Sequence, residues 1–436
     1  MISKNFQNIT ATEWIERLKL GEFAVSDFIN YSLFSIKKKN RIFNAFVNFD
    51  EQKIIDQIRR INTKSKYIDS PLLGIPIGVK DIFNTYDFTT EFGSPVYKNY
   101  QPGNDARVIS SLRRGGAIIA GKTLTSEFAV HYTKGINHPL DTKRTPGSSS
   151  AGSAVAVATG MVPVSICSQT AGSTIRPSSY CGIYGFKPSF GLIPRTGVLK
   201  TTDTLDTIGL MARSVNDLLL IFFNIHVKGK NYPIVNKNLK KKKINNKIKP
   251  RILVFDSFID SFLTKKVKDK FNQFIKKLVK NGFNIVNYKI DEFFDEIFEH
   301  HNKIYCKSLS YYFRSEYKLN KKKFSKILAN MIKEGKKTNL TDYKLSLRRQ
   351  YEISELFDKK FEKFDFIICP STSGIAPLHG EKDLTDSNLL WTFLGLPVIT
   401  LPKLRGEMSL PVGISLIGRK YNDYELFEVC KLIDQI

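Results

Sequence analysis

PGSSSAGS at residues 146–153 and QTAGSTIRP at residues 169–177 are two short runs of small residues, and each contains a possible serine nucleophile. The apolar run AVAVA at residues 154–158 directly follows the first. This context sets both runs against a packed core, where backbone N–H groups can converge on a developing oxyanion. A lone run of this kind is more often a flexible connection or a phosphate-binding turn. No GxGxxG follows a strand pattern in the sequence, and the two runs therefore indicate catalytic loops.

A lysine upstream of both runs is the candidate base. A serine hydroxyl is a poor nucleophile until a neighbouring group takes its proton. Lys80 ends the apolar segment GIPIGVK at residues 74–80, and burial there would lower its pKa from the ordinary ~10.4 toward neutrality. Most other lysines of this lysine-rich chain are expected to be solvated. The histidines show no matching partner pattern; they are His131, His138, His226, His300, His301 and His379.

These segments resemble the amidase signature family, whose members hydrolyse amides with a Ser-cisSer-Lys triad. The resemblance covers most of the chain and is weakest between residues 224 and 364. It implies a three-layer α/β/α sandwich around a central mixed β-sheet. Further matching stretches are CGIYGFKPS at 181–189, LDTIGLMARS at 205–214, DFIICP at 365–370 and GLPVITLP at 395–402.

The resemblance also implies roles for individual residues. Ser173 would be the acylated nucleophile, Ser149 the bridging serine in a cis peptide, and Lys80 the base. The spacing between the two serines agrees with that of the family. The oxyanion hole would be formed by backbone amides just before the nucleophile, at Thr170, Ala171 and Gly172.

Four residues depart from the usual family pattern, and two of them, Ala151 and Ala171, replace common glycines. Ser148 stands where glycine usually precedes the cis serine, although glycine would ease the crowding of a bond that costs ~3–4 kcal/mol. Gln169 replaces a frequent aspartate. This form of the second loop resembles the malonamidase-like subgroup more than the transamidosome subunit.

Arg176 follows the nucleophile by three residues, and two interpretations of it stay open. Malonamidase-like enzymes place an arginine here that holds a substrate carboxylate, a task that suits the paired donors of a guanidinium. Alternatively, Arg176 ties down its own loop by bonding backbone carbonyls. The first interpretation predicts a small amide with an acidic end.

The predicted activity is hydrolysis of a small carboxamide to an acid and ammonia through an acyl-enzyme on Ser173. Two alternatives remain. The first alternative is a glutamine-hydrolysing subunit of a tRNA-dependent amidotransferase, and the second is a non-catalytic binding module of the same fold. The second loop fits the amidotransferase poorly, and the intact Lys80, Ser149 and Ser173 argue against a non-catalytic module.

The 436 residues, of which 42% are hydrophobic, are expected to form a single domain. Its predicted parts are an N-terminal helical part at 1–65, a catalytic core at 66–225, a lysine-rich linker at 226–250, and a strand–helix part at 251–436. The net charge of +26 raises the question of nucleic-acid binding. No binding module is visible, so the lysine-rich segment 237–249 is interpreted as a solvated linker, the alternative being a docking patch for tRNA or a partner.

Composition further indicates a cytoplasmic enzyme without a cofactor. The five cysteines form no CxxC pair, which is typical of reduced thiols. The first residues lack the apolar core of a signal peptide, and no apolar run is long enough to span a membrane. No metal-ligand spacing is present, and no metal or organic cofactor is expected. The partner predicted is the amide substrate, with a homodimer possible through the N-terminal helices.

The local patterns alternate between helix and strand, as in α/β proteins. Thr12 is predicted to cap a first helix and Ser26 to open a second, while Thr264 begins a helix that Gly282 closes. Residues 293–361 are expected to be helical and to cover the active site. The predicted core strands or strand ends lie at residues 75–79, 117–120, 162–166 and 182–186.

Overall fold

A mixed β-sheet runs through the molecule. The computed structural model describes residues 6–62, 69–131, 135–227, 239, 250–255, 261–286, 288–290 and 293–436. Within these residues the sheet has eleven strands. They are β1 (Phe46–Asn48), β2 (Pro76–Lys80), β3 (Ile118–Thr123), β4 (Val164–Gln169), β5 (Tyr184–Lys187), β6 (Thr207–Ala212), β7 (Arg251–Val254), β8 (Asn284–Val286), β9 (Phe366–Pro370), β10 (Val398–Arg405) and β11 (Pro411–Gly418).

The strand order across the sheet is β1-β3-β2-β4-β6-β5-β10-β11-β9-β7-β8. β2 is parallel to both β3 and β4, and β7 is parallel to both β8 and β9. The remaining neighbours are antiparallel. The prediction of a mixed central sheet is therefore confirmed, and the predicted core strands are present with their bounds moved by one to three residues.

Helices cover the sheet. The described α-helices are α1 (Ala11–Lys19), α2 (Val25–Phe43), α3 (Glu51–Asn62), α4 (Arg107–Arg114), α5 (Ala151–Ala158), α6 (Ile175–Cys181), α7 (Val215–Ile225), α8 (Lys265–Lys280), α9 (Phe294–Tyr312), α10 (Arg314–Asn320), α11 (Lys326–Lys337), α12 (Leu340–Lys360), α13 (Asn388–Phe393) and α14 (Asp423–Asp434). The helical region predicted at 293–361 is thus present as α9 to α12.

The two faces of the sheet bury separate hydrophobic clusters. Successive strand residues point to opposite faces. Cys167 of β4 and Met211 of β6 join a cluster with α5, whereas the neighbouring Ile166 and Leu210 join the larger one. Helices α5 and α6 contact each other beside the sheet, and α4 and α14 both contact α7. This arrangement confirms the layered α/β fold.

The starts of the first two helices differ from the prediction. Thr10, not Thr12, caps α1, through a capping box with Glu13. Thr12 instead donates its hydroxyl to Asp217 of α7, because the first helical turn packs against that helix. Helix α2 begins at Val25, and its first turn is closed by the Asp27 carboxylate, which accepts from the Ala24 amide. Thr264 precedes α8 as predicted.

Helices α9 and α11 pack in close contact. Gly335 of α11 lies against the backbone of α9, where an added Cβ would sit 1.8 Å from the Cys306 carbonyl oxygen. A residue without a side chain is needed at this crossing, so Gly335 sets how closely α9 and α11 approach each other within the helical cover, which consists of α9 to α12.

The predicted lysine-rich linker falls mostly outside the described residues, at 228–238 and 240–249. The division of the chain into a single domain with four parts stays a prediction. Among the described helices, none combines the length and the apolar composition needed to cross a bilayer.

Candidate active site

Strand pairing brings Lys80 beside the second serine loop. β2 lies parallel to β4, with Val79 opposite Ile166, so the carboxyl ends of both strands meet at one edge of the sheet. Lys80 ends β2, and Ser168 lies near the end of β4. Ligands of open α/β sheets bind at such carboxyl ends. The candidate site therefore lies where the fold favours one.

The Lys80 amine is enclosed by three serine hydroxyls. Nζ lies 2.8 Å from Oγ of Ser149, 3.0 Å from Oγ of Ser150 and 2.9 Å from Oγ of Ser168. The side chain is fully buried. Burial lowers the pKa of Lys80 to about 7, although Cys167 and Asp206 act in the opposite direction. A neutral amine has one lone pair, so one of the three hydroxyls can donate to Nζ.

The first serine loop leads into α5 and is held against its neighbours. Ser150 immediately precedes α5, and Thr125 Oγ1 donates to the Ser149 carbonyl at 3.0 Å. Gly152 lies so close to the chain at Leu124 that an added Cβ would sit 2.4 Å from that backbone nitrogen. The glycine thus permits the approach that places Ser149 over Lys80.

The contact to Ser173 comes from Ser148. Ser148 Oγ donates to Ser173 Oγ at 3.2 Å, while Ser149 contacts Lys80. The peptide bond between Ser148 and Ser149 is trans, so the cis bond implied by the resemblance is not present. The trans form is lower in energy by ~3–4 kcal/mol, and Ser148 supplies a side chain where the family usually has glycine. Lys80, Ser149 and Ser173 lie in one cluster, with Ser148 as an additional member.

The loop before Ser173 presents a row of backbone amides. The Thr170 carbonyl accepts from His301, the Ala171 carbonyl from Thr392 and the Gly172 carbonyl from the Arg176 amide. Among the described residues, the predicted N–H groups of Thr170, Ala171 and Gly172, and that of Ser173 as well, have no backbone acceptor outside the regular elements. Such a row of N–H groups beside a serine can stabilise an oxyanion.

Gln169 organises the start of α6. Its Oε1 accepts from the amides of Thr174 and Ile175 at 2.8 and 3.0 Å, and its Nε2 donates to Thr392 Oγ1 at 2.9 Å. The side chain is fully buried. The amide oxygen therefore caps the helix that follows the nucleophile, as an aspartate could, while the amide nitrogen reaches α13.

Arg176 forms ion pairs with two carboxylates of its own chain. Nε lies 2.7 Å from Asp386 Oδ2, and Nη1 lies 3.2 Å from Asp383 Oδ2. Burial acts to lower the guanidinium pKa, but Asp386 and Asp383 outweigh it and raise that pKa well above its ordinary value. Arg176 thus ties α6 to the segment before α13 through carboxylates, rather than through the backbone carbonyls considered from the sequence.

Sequence reasoning missed several buried polar groups near these loops. Asp206 accepts from the hydroxyls of Thr170, Thr201 and Thr202. His301 comes from α9, in the part of the chain with the weakest motif signal. Within the described residues, no group of His, Cys, Asp or Glu side chains is arranged to hold a metal ion.

A second fully buried lysine on the neighbouring strand has a different environment. Lys122 of β3 forms an ion pair with Asp81 at 3.1 Å and donates to Thr90 Oγ1 at 2.6 Å. Burial lowers its pKa as well, but the nearby carboxylate opposes the change. Lys80 differs because its hydrogen-bond partners are hydroxyls, which suits a base rather than a structural ion pair.

A buried lysine beside serine hydroxyls, at the carboxyl edge of the sheet, is an arrangement in which a base can activate a serine nucleophile. The chain matches the model of the Amidase family over residues 27–427. It belongs to this family and is an amidase, a hydrolase of amide bonds.

Known relatives agree with this assignment. A glutamyl-tRNA(Gln) amidotransferase subunit of Sulfolobus acidocaldarius is 27% identical, with 97% of each chain covered. The corresponding subunit of Thermotoga maritima has a solved structure with a TM-score of 0.81, 24% identity and coverage of 100% of this chain and 96% of that chain. Native peptide amidase of Stenotrophomonas maltophilia gives a TM-score of 0.84, 22% identity and coverage of 98% and 96%. The structural likenesses establish the fold. The malonamidase-like subgroup suggested by the second loop is not supported.

Proposed function

We propose that this amidase cleaves a carboxamide to a carboxylate and ammonia through an acyl intermediate on Ser173. The observation that carries the proposal is the buried Lys80 amine, which contacts three serine hydroxyls and has a pKa of about 7. At neutral pH a large fraction of such an amine is unprotonated and can accept a proton.

The proposed reaction has two halves. Ser173 Oγ attacks the amide carbonyl carbon, and its proton passes through a serine hydroxyl to the neutral Lys80 amine. The amides of Ala171, Gly172 and Ser173 donate to the oxyanion. The proton then passes to the amide nitrogen as the C–N bond breaks and ammonia leaves. A water molecule, deprotonated by the same route, attacks the acyl carbon, and the acid and Ser173 are released.

Glutamine is the amide we favour, with the ammonia passed to a partner protein. Relatives that align along nearly the whole chain are named as subunits of glutamyl-tRNA(Gln) amidotransferase. The contrary hypothesis, a half-amide held by Arg176, loses support because Asp383 and Asp386 already bind that guanidinium. A partner of different sequence is therefore a better hypothesis than a homodimer. Reduced thiols and the kind of relative favour the cytoplasm.

Covalent labelling tests the mechanism without knowledge of the substrate. A fluorophosphonate is expected to label the wild-type chain at Ser173 and to leave Ser173→Ala unlabelled. Ser153→Ala is a suitable control, because Ser153 is a buried serine bonded to Thr123 rather than to Lys80. Labelling elsewhere, or none in the wild type, would reject the serine mechanism and revive the non-catalytic module.

A substrate panel tests the choice of amide. Ammonia release is measured with L-glutamine, neutral primary amides, and primary amides that carry one distal carboxylate. Release from glutamine, together with co-purification of a second chain, is the expected outcome. Preference for carboxylate-bearing amides, lost in Arg176→Lys, would instead favour the half-amide hypothesis.

A further inference from the structure

His301 of α9 reaches the loop that precedes the nucleophile. The side chain is 4% exposed, and its Nε2 lies 2.9 Å from the Thr170 carbonyl oxygen. The two residues are far apart in the sequence: His301 belongs to the helical cover, and Thr170 directly follows β4. This contact is a direct connection between the cover and the catalytic loop.

The protonation of His301 follows from its partner. A carbonyl oxygen only accepts hydrogen bonds, so Nε2 must carry the proton. Burial lowers the pKa of His301 to about 4, and the ring is neutral at physiological pH. The imidazole is thus a fixed neutral donor rather than an acid or base in the reaction.

The contact determines the direction of a neighbouring N–H group. A peptide unit is planar, and in its trans form the C=O and N–H bonds point to opposite sides. The Thr170 carbonyl shares its plane with the Ala171 amide. Therefore the His301 bond, which holds the carbonyl on one side, keeps the Ala171 N–H directed to the other.

The next two peptide planes are held in the same way. Thr392 Oγ1 donates to the Ala171 carbonyl at 2.7 Å and so orients the Gly172 amide. The Arg176 amide donates to the Gly172 carbonyl at 2.9 Å and orients the Ser173 amide. Each of the three successive carbonyls has a donor, and among the described residues the N–H group across each of these peptide planes has no backbone acceptor outside the regular elements. Of the two side-chain donors, His301 is the one contributed by the cover.

We propose that His301 is a positioning residue, which holds the Thr170–Ala171 peptide so that the Ala171 amide donates to the oxyanion. The inference rests on the proposed function of Ser173. It assigns to α9 a part in the reaction besides covering the site. Movement of α9 would change the orientation of the Ala171 N–H group, and thereby the rate of the acylation step.

Three variants at position 301 distinguish a role as hydrogen-bond donor from a role in filling space. Gln can place its Nε2 donor near the position of the histidine Nε2, whereas Met has a similar volume and no donor. Loss of a whole oxyanion donor costs ~10²–10³ in kcat, and misdirection of one costs less. We expect His301→Met and His301→Ala to lower kcat by roughly 10- to 100-fold with KM changed less than about threefold. His301→Gln should retain kcat within about threefold.

The adjacent histidine supplies a matched control. His300 is also buried, but it bonds Ser346 Oγ at 3.0 Å rather than the catalytic loop. His300→Met should therefore leave kcat near the wild-type value. Equal losses in the His300 and His301 variants, or failure of His301→Gln to exceed His301→Met, would overturn the inference.

Labelling keeps this test distinct from that of the proposed function. A fluorophosphonate also places an oxygen where the oxyanion forms, so its rate of reaction with Ser173 should fall in His301→Met and recover in His301→Gln. Wild-type labelling at Ser173 with unchanged rates in all variants would reject His301 alone. If the wild type is not labelled at Ser173, the proposed function itself fails. Should His301→Ala not fold, the comparison of Gln with Met still decides.

Discussion

The partners of the Lys80 amine are uncharged hydroxyls, which stabilise an ammonium ion less than a carboxylate would. Burial therefore dominates and lowers the pKa of Lys80 to about 7. A base acts in its unprotonated form, so kcat/KM should be low in acid, rise as the pH passes about 7, and then level off. Ammonia release across the neutral range measures this profile. An inflection near ~10, the ordinary range of lysine, would contradict it.

Single alanine variants distinguish the two serines beside the nucleophile. Ser149→Ala removes a hydroxyl bonded to Lys80 and is expected to lower kcat by about 10³-fold, within the range of general base catalysis. Ser148→Ala keeps the contact of Ser149 with Lys80 and should lower kcat by about tenfold or less. Steady-state kinetics of both variants measures the two changes in kcat.

Equal and large losses in both variants would instead place Ser148 in the path of the proton. Ser150→Ala is the control for the environment of the amine, because it removes another partner of Lys80 that lies farther along the loop. A smaller effect than that of Ser149→Ala is expected.

The site residues predicted from the sequence lie near one another, since Ser149 contacts Lys80 and Ser173 contacts Ser148, the neighbour of Ser149. Their catalytic roles stay a prediction. Their signal was local, since each lies in a short motif of small or apolar residues. The contacts of His301, Asp383 and Asp386 had no local signal, because they depend on how distant segments pack. The bond from Ser148 to Ser173 depends on the backbone conformation of the loop, which residue types alone do not determine.

At the scale of elements, the ion pairs of Arg176 join α6 to the segment before α13. The carboxylate of Asp386 is 2% exposed, so removal of Arg176 leaves a buried charge without its counter-ion. Arg176→Met should lower the free energy of unfolding by about 3–5 kcal/mol, as measured by urea denaturation.

A surface pair provides the control for this effect. Arg419 pairs with Asp358, and their side chains are 45% and 33% exposed. Arg419→Met should change the free energy of unfolding by about 1 kcal/mol or less. A similarly small change for Arg176→Met, combined with lost turnover of carboxylate-bearing amides, would return Arg176 to the role of a substrate clamp.

Helices and strands with a clear hydrophobic periodicity or an apolar run were predicted well. Their boundaries were predicted less well. The core strand predicted at residues 162–166, for example, is present as β4 at Val164–Gln169. Caps were harder, because both Thr10 and Thr12 are suitable cap residues. The choice depends on Asp217, a residue of α7 that binds Thr12. The local sequence does not determine how the first turn of α1 packs against α7.

At the scale of the whole molecule, all five cysteines are buried and unpaired. Burial raises the pKa of the Cys167 and Cys369 thiols to about 11 and about 12. Thiolates are the reactive form, so the native protein should react with a disulfide reagent at least about 10²-fold more slowly than the urea-unfolded chain. Absorbance of the released thiol at neutral pH measures both rates.

The unfolded chain should release five equivalents, one for each cysteine. A fast phase in the native protein would show that one thiol is accessible. Cys181→Ser would identify whether that thiol is the one that precedes the β5 strand.

The strand order has a consequence for the folding of this protein during its synthesis on the ribosome. β5 at residues 184–187 finds its neighbour β10 only when residues 398–405 have been made. Until then, the half-sheet from β1 to β5 has an unpaired, apolar border at its growing side, and such borders invite association between chains. A translation product that stops before β10 would expose that border permanently. The border of the nascent chain therefore stays unpaired while residues 213–397 are made, and chaperones or rapid synthesis would have to protect it over that interval.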